Sequence, residues 1–263
     1  MGLLDAERVF AGELHRVRRR VEEANLLILS DLPHGIDVAV QSVSENMTEL
    51  KKFIELNPSF RMALLPLDVD NSAPRAASLA ASAASIAGVG PMAAVPGALA
   101  DLAVERMQEI GCAVSLVEDG GEISAMSERP ILVAIYAGQS PASGRFGFFL
   151  EKGDFPIGIA TSSATVSHAL NFGEADAAVV VSDSATMADA AAKRVCNAVT
   201  GNDVKSSIEE GLRTAEKIPK VRGAIVVRSS HVGVVGVLPR IVPLRGSLKE
   251  IFDRALLDPD LRL

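Results

Sequence analysis

The order in which helical and extended patterns follow one another constrains the fold of this chain more than any other feature. Apolar residues recur at helical spacing from Val38 to Leu56, and Asn57-Pro58 ends that pattern. Several strand-like runs then follow one another between such helical segments, with no regular alternation of one strand and one helix. This order predicts an α+β fold with a mostly antiparallel sheet, and it disfavours a doubly wound parallel sheet.

The other elements are predicted from the same periodicities. Helices are expected at residues 76–87, 92–110, 184–200, 204–216 and 247–257, and strands at residues 7–31 (a hairpin or meander), 113–117, 131–136, 145–150, 157–160, 177–181, 223–228 and 231–238. Asp183 or Ser184 is the predicted N-cap of the helix that Gly201 ends. No linker rich in proline or serine divides the 263 residues, so one domain over residues 1–263 is predicted.

Composition and charge exclude two classes of partner. Every apolar run is interrupted by glycine, proline or a charge before the ~20 residues that a bilayer requires, so a soluble protein with no membrane partner is expected. The net charge is −7, and the one dense basic stretch, residues 15–20, is balanced by nearby glutamates. With no Trp and one Tyr to stack on bases, nucleic acid is not an expected partner.

Compartment and metal content are predicted from what the sequence does not show. The first residues lack the basic, apolar and cleavage regions of a signal peptide, so the cytoplasm is the expected location. Cys112 and Cys196 are isolated in apolar surroundings and are predicted to be buried. No group of His, Cys, Asp and Glu has the spacing of a transition-metal site. Self-association stays open.

Two glycine-containing segments have both a functional and a structural interpretation. Gly88 and Gly90 precede the helix at residues 92–110, where free N–H groups could hold a phosphate. The alternative is that these glycines let neighbouring elements pack closely. Residues 119–122 (DGGE) place two carboxylates around a tight turn, which either borders a ligand or is a hairpin turn whose glycines supply positive φ angles.

A third segment is dense in hydroxyl groups. Thr161, Ser162 and Ser163 precede His168, and Asp176 follows. A serine nucleophile would need a hydrogen bond to the histidine and an orienting acid, and linear spacing establishes neither. A loop that binds a ligand phosphate and a plain structural loop are the other interpretations, and both are favoured over a serine hydrolase.

These segments occur in an order that resembles the ApbE family of FAD:protein FMN transferases. Residues 94–101 (AVPGALAD) resemble a helix segment of that family, and residues 117–123 (VEDGGEI) resemble its Gly-Gly turn. Residues 160–163, 167–168 and 188–190 resemble its Thr-Ser-Gly turn, Ser-His pair and Ala-Asp-Ala helix. The similarity is closer to a cytoplasmic branch of the superfamily, through residues 88–95, 161–163 and 171–176.

The resemblance implies a fold, a ligand and a set of site residues. The implied fold is an ApbE-like, T-fold-related sheet with long helices packed on one face, and the implied ligand is FAD, FMN or a similar phosphorylated small molecule. The candidate ligand-binding residues are Gly88, Gly90, Met92, Gly97, Asp119, Gly120, Gly121, Glu122, Thr161, Ser162, Ser163, His168, Asp189 and Lys193. No catalytic residue is assigned.

Two departures from the family pattern argue against ordinary FMN transfer. In ApbE-type enzymes the aspartate that Asp189 resembles and a threonine four residues later help to hold Mg²⁺. Lys193 stands at that later position, and an ammonium donates hydrogen bonds but cannot bind a cation. Lys193 could instead pair with Asp189 on the helix, or occupy the place of the metal. Pro96 replaces the family lysine in the first segment.

Three functions stay open. The first is a cytoplasmic ApbE-like protein that binds a flavin, nucleotide or similar phosphorylated molecule without Mg²⁺-dependent FMN transfer. The second is a non-catalytic accessory protein, for which the resemblance suggests a link to sulfur assimilation and homocysteine synthesis. The third is FAD:protein FMN transfer itself.

Overall fold

A large antiparallel sheet forms the centre of the molecule. The structure, a computed structural model, describes residues 14–166, 171–249 and 251. Eight strands lie in the order β1-β2-β3-β4-β7-β8-β9-β10, and every neighbouring pair is antiparallel. Their bounds are β1 His15–Val21, β2 Ala24–Ser30, β3 Val114–Asp119, β4 Glu122–Ser127, β7 Ile157–Ser162, β8 Ala177–Ser182, β9 Val221–Arg228 and β10 His231–Gly236.

The helices pack on one face of this sheet. They are α1 Pro33–Leu56, α2 Pro58–Met62, α3 Arg75–Ala87, α4 Val95–Glu109, α5 Ala185–Ala198 and α6 Val204–Lys217, with a 3-10 turn at Pro91–Ala94 before α4. In α1, the apolar residues Ile36, Val43 and Leu50 recur at helical spacing and are buried. The small residues of α3 allow close approach, and six alanines on its inner face are at most 5% exposed: Ala76, Ala77, Ala80, Ala81, Ala84 and Ala87.

A second, smaller sheet covers the opposite face. It contains β5 Ile131–Ala134, β6 Phe146–Leu150 and β11 Arg240–Pro243, in the order β11-β6-β5. Ile131, Phe148 and Leu150 pack with Ile159 and Val179 of the large sheet in one apolar cluster. The molecule therefore has three layers: helices, an eight-stranded sheet and a three-stranded sheet.

The predicted α+β class, the antiparallel sheet and the helices on one face are all confirmed. Sequence periodicity predicted neither β4 nor α2, and it did not separate β5 and β6 from the main sheet. Ser184 is the N-cap of α5, and its side chain accepts a hydrogen bond from the N–H of Met187. Most of the helix predicted at residues 247–257 lies outside the described residues. Cys112 and Cys196 are buried, as predicted.

No membrane-spanning segment was expected among the helices that the structure describes. None of them is by itself long and apolar enough to cross a bilayer. Two helical segments, Arg75–Ala87 and Pro91–Glu109, are bent by 103° at the break between them. Together they have the length and the apolar composition of a membrane span, by those two criteria only.

Candidate functional site

A cavity of about 580 Å³ lies between α1, the start of α4 and the turns that join β1 to β2 and β3 to β4. Its apolar walls come from Met47, Leu50, Ile54, Met92, Val95, Pro96 and Leu99. Its charged residues are Glu23, Lys51, Glu55, Arg61, Asp119 and Glu122. The cavity therefore combines an apolar slot with both signs of charge.

A second cavity of about 330 Å³ adjoins the first, because Arg61 and Met92 line both. Its other lining residues are Ala63, Leu64, Val89, Gly90, Ala93, Phe172, Lys193 and Asn197. Arg61 and Lys193 make this smaller cavity cationic. Arg61 was not predicted, since nothing in its local sequence marks it as different from other surface arginines.

The turn between β3 and β4 brings two carboxyls to the larger cavity. Asp119 and Glu122 are opposite each other in the ladder, so Gly120 and Gly121 form a two-residue hairpin loop. Both glycines have positive φ angles, 69° and 115°, as the favoured two-residue turns require. The structural interpretation of this turn is therefore confirmed, and the same turn lines the cavity through Asp119, Gly120 and Glu122.

Burial weakens the acidity of both carboxyls. It raises the pKa of Asp119 to about 6, against a lowering by the hydrogen bond that its Oδ1 accepts from the N–H of Asn25 (3.0 Å). Burial also raises the pKa of Glu122 well above its ordinary value, and the charges of Asp189, Asp119 and Glu118 add to that rise. These carboxyls therefore bind protons more readily than exposed ones.

Asp189 is a buried carboxyl on α5, behind this turn. Its Oδ2 accepts a hydrogen bond from the backbone N–H of Gly97 (3.1 Å), and the residue is 8% exposed. Burial raises the pKa of Asp189 to about 8, although the Gly97 hydrogen bond and the Lys193 charge act in the other direction. The charges of Asp119 and Asp101 raise the pKa further. Burial therefore favours the protonated form of Asp189 more than that of an exposed aspartate.

Lys193 lies one helical turn beyond Asp189 and faces the smaller cavity. Its Nζ donates a hydrogen bond to Oδ1 of Asn171 (2.8 Å). Burial lowers the pKa of Lys193, whereas the charges of Cys196, Asp189 and Glu122 raise it. The charge of Lys193 lowers the pKa of Asp189, and the pairing of the two side chains as a helical ion pair stays a prediction.

The glycines of the first segment have structural roles: Gly88 supplies a left-handed helix end, whereas Gly90 and Gly97 allow close packing. Gly88 ends α3 with a φ of 73°, and its N–H and that of Val89 both donate to the carbonyl oxygen of Ala84. A Cβ on Gly90 would lie 1.9 Å from the carbonyl oxygen of Ala63. A Cβ on Gly97 would lie 2.4 Å from that of Ala185, at the contact between α4 and α5. Gly90 and Met92 also line the cavities.

The hydroxyl-rich segment closes its own turn and supports Asn171. Ser163 Oγ accepts hydrogen bonds from the N–H groups of Thr165 (3.1 Å) and Val166 (3.0 Å). Ser162 Oγ donates to Asn171 Oδ1 (3.2 Å), the atom that also accepts from Lys193. Thr161 lies at the end of β7 beside Gly121. His168 lies outside the described residues.

The carboxylate of Asp176 takes part in other contacts. Its Oδ1 accepts a hydrogen bond from Thr165 Oγ1 (3.2 Å), and its Oδ2 accepts one from the N–H of Ser229 (2.6 Å). Ser163 and Asp176 therefore both stabilise loop backbone, which supports the structural interpretation of this segment.

Asp101 has a structural role that the sequence did not reveal. Its Oδ1 accepts a hydrogen bond from the N–H of Ala185 (2.9 Å), and its Oδ2 accepts from the N–H and the Oγ1 of Thr186 (2.9 and 2.5 Å). The carboxylate thus satisfies the first N–H groups of α5 and fixes the helix that carries Asp189 and Lys193.

The site does not fit a bound Mg²⁺ ion. Among the residues that the structure describes, no three His, Cys, Asp or Glu side chains stand where they could share a metal. One oxygen of Asp189 already accepts the Gly97 N–H, and Lys193 on the same helix supplies a cation near it. Mg²⁺ needs several oxygen ligands in near-octahedral geometry.

Solved structures with the same arrangement of layers define the class of fold. The apo form of the flavinyl transferase ApbE from Pseudomonas stutzeri superposes with a TM-score of 0.55 at 16% identity, over 96% of this chain and 99% of that one. The ApbE protein of Thermotoga maritima gives a TM-score of 0.53 at 10% identity, over 84% and 96% of the two chains. The molecule has the ApbE fold.

Sequence comparison then identifies the family. A family model described as "AbpE bacteria" matches residues 7–216. The UPF0280 protein of Methanocaldococcus jannaschii is 37% identical over 237 residues, which is 89% of this chain and 96% of that protein. The UPF0280 proteins of Methanococcoides burtonii and Methanopyrus kandleri are 37% and 34% identical, over 84% and 89% of this chain. The chain belongs to the UPF0280 family of ApbE-like proteins.

Proposed function

We propose that this protein binds a phosphorylated small molecule with a ring system, such as a flavin or another nucleotide, across the two joined cavities. The ring occupies the larger cavity, and the phosphate lies in the smaller one against Arg61 and Lys193. The observation that carries the proposal is the shared wall of Arg61 and Met92, which joins an apolar cavity to a cationic one.

The size and the lining of the cavities support this ligand class. Small-molecule sites are typically about 300–1,000 Å³ and mostly apolar, with a few polar groups that fix orientation. The larger cavity, at about 580 Å³, is in that range. Flavin is a specific candidate because the structural neighbours are ApbE flavin transferases.

Charge supports a phosphate held without a metal. Burial raises the pKa values of Asp189 and Glu122, which disfavours their negatively charged forms beside the cavities, so an anion is repelled less than by exposed carboxylates. Lys193 and Arg61 then supply the positive charge that Mg²⁺ would supply elsewhere. On this proposal the protein does not perform Mg²⁺-dependent transfer of FMN to another protein.

Isothermal titration with riboflavin, FMN, FAD and ADP, in EDTA and in Mg²⁺, tests the proposal. We expect FMN or ADP to bind in EDTA, with no gain from Mg²⁺. Lys193→Thr should weaken the binding of the phosphorylated ligand by about tenfold or more, because a charge-assisted contact is lost. It should leave the affinity for riboflavin, which has no phosphate, unchanged.

A pair of substitutions on α1 locates the site. Ile54→Trp fills part of the larger cavity and should abolish binding, whereas Thr48→Trp, on the exposed side of the same helix, should not. Binding that requires Mg²⁺, or no binding of any of the four compounds, would contradict the proposal.

The two alternative functions give different results. If the protein transfers FMN, an acceptor peptide incubated with FAD and Mg²⁺ will gain the mass of FMN. An accessory protein would bind none of the compounds and would instead copurify with a protein partner.

A further inference from the structure

The strand β10 lies at the end of the large sheet and has no charged side chain of Asp, Glu, Lys or Arg. Among the described strands, none pairs with its outer edge. Residues 231–236 contain no Asp, Glu, Lys, Arg or Pro, and Pro239 lies beyond the strand. Natural sheets usually protect a free edge with charged side chains, proline or a bulge. The opposite edge, β1, is protected in this way by Arg16, Arg18, Arg19 and Arg20.

One face of β10 is covered and the other is exposed. A Cβ on Gly233 would lie 2.5 Å from Ile208 and 2.8 Å from Leu212, so α6 covers the helix-side face. Val232 and Val234 point to the other face, as do their ladder partners Val227 and Ile225, which pack in the cluster beneath the small sheet. Val232 and Val234 are nevertheless 44% and 50% exposed.

The backbone of β10 presents hydrogen-bonding groups to the outside. The N–H of Val237 donates to the carbonyl oxygen of Arg222 in β9 (2.7 Å). Because these groups alternate along an antiparallel strand, those of Val235 and Gly233 also point to β9. The N–H and C=O groups of Val232 and Val234 therefore point away from the sheet.

We propose that β10 pairs antiparallel with β10 of a second copy of this chain, about a two-fold axis through Val234. In this register Val232 is opposite Gly236, and Gly233 is opposite Val235. Each glycine thus meets a valine, Val234 meets itself, and no like charges are opposed.

Charge favours this edge over the other one. Each copy has a net charge of −7, so self-association is least opposed at an uncharged surface. In the equivalent pairing of β1, centred on Arg18, Arg16 would be opposite Arg20 and Arg18 would be opposite itself. The proposal does not depend on the ligand proposed above.

Sedimentation equilibrium of the full chain tests this interface. We expect a concentration-dependent dimer of the parent protein. Val234→Lys places two ammonium groups opposite each other and should raise the dissociation constant of the dimer by about tenfold or more. Met126→Lys is the matched control: it adds the same charge at an exposed position (37%) on the inner strand β4 and should leave the dimer unchanged.

Cross-linking tests the register independently of stability. Across a hydrogen-bonded pair the Cα atoms are about 5.5 Å apart, within the range of a disulfide. Val234→Cys should therefore form a linked dimer on mild oxidation, whereas Ile241→Cys, exposed on β11, should not. A parent protein that is monomeric at every concentration, as would follow if residues 1–13 or 252–263 cover the edge, overturns the proposal. A dimer that resists Val234→Lys and is not linked through Val234→Cys overturns it equally.

Discussion

At the scale of single residues, Asp189 shows how burial changes the chemistry that a sequence motif suggests. The folded state raises its pKa to about 8, mainly through burial. In the unfolded chain the pKa is near the ordinary value of about 3.9. Between these two pKa values the folded state binds more protons than the unfolded state. The contribution of Asp189 to the free energy of unfolding is therefore fully present below the unfolded pKa and is lost as pH rises through the folded pKa.

Replacing Asp189 with Asn should remove this pH dependence. The amide resembles the neutral carboxyl, and its oxygen can still accept the N–H of Gly97. The uptake of one proton changes the free energy of unfolding by at most about 1.4 kcal/mol per pH unit. We expect the free energy of unfolding in urea to fall less between pH 5 and pH 9 for Asp189→Asn than for the parent.

Asp203 supplies the control for this measurement. It is the exposed N-cap of α6, and hydrogen bonds from Ser206 lower its pKa. Its stabilising charge is therefore lost only as pH falls through the folded pKa, below the range measured. Between pH 5 and pH 9, the free energy of unfolding of Asp203→Asn should change with pH as it does in the parent. Equal slopes for the parent and Asp189→Asn would show that Asp189 does not titrate in this range.

At the scale of elements, the contact between α4 and α5 positions the site. Gly97 lies on α4 against the first turn of α5, and the Asp101 carboxylate on α4 caps that turn. The contact places Lys193 at the smaller cavity and Asp189 against the N–H of Gly97.

Gly97→Ala should therefore lower the free energy of unfolding by about 1–3 kcal/mol, the usual cost of overpacking. The added Cβ would meet the backbone of Ala185 and Thr186, which cannot rotate away. Gly153→Ala, where nothing lies within 4 Å, should change stability by less than about 0.5 kcal/mol. Denaturant unfolding of both variants gives the comparison, and an equal effect at the two positions would contradict this account of the helix contact.

The main elements were accessible from sequence, whereas several details were not. The long helices were predicted and a hairpin was one of the two interpretations of the turn at Gly120, because periodicity and turn residues are local properties. The short helix α2 was missed, since Pro58 both ends the pattern of α1 and starts the next helix. Nothing local distinguishes the strands β5 and β6, which form a separate sheet, from those of the main sheet.

At the scale of the whole molecule, the three layers should unfold together. The prediction of one domain is testable because the chain has one Tyr and no Trp. Tyr136 packs beside the small sheet, so its fluorescence reports that layer, whereas far-UV circular dichroism reports the helices. We expect the two urea transitions to have the same midpoint, as for a two-state domain. Separate midpoints would indicate two units. The cytoplasmic location and the T-fold relationship stay predictions.

The sequence by itself determined the class of fold, the positions of the long helices and the departure at Lys193 from the family pattern, because these depend on residue identity and short-range spacing. Only the tertiary structure decided which segments form the cavities: Asn25, Met47, Pro96 and Asp119 are distant in the chain and meet at one site. It also decided the raised pKa of Asp189, because the cost of ionising a carboxyl depends on how much water the surrounding layers exclude.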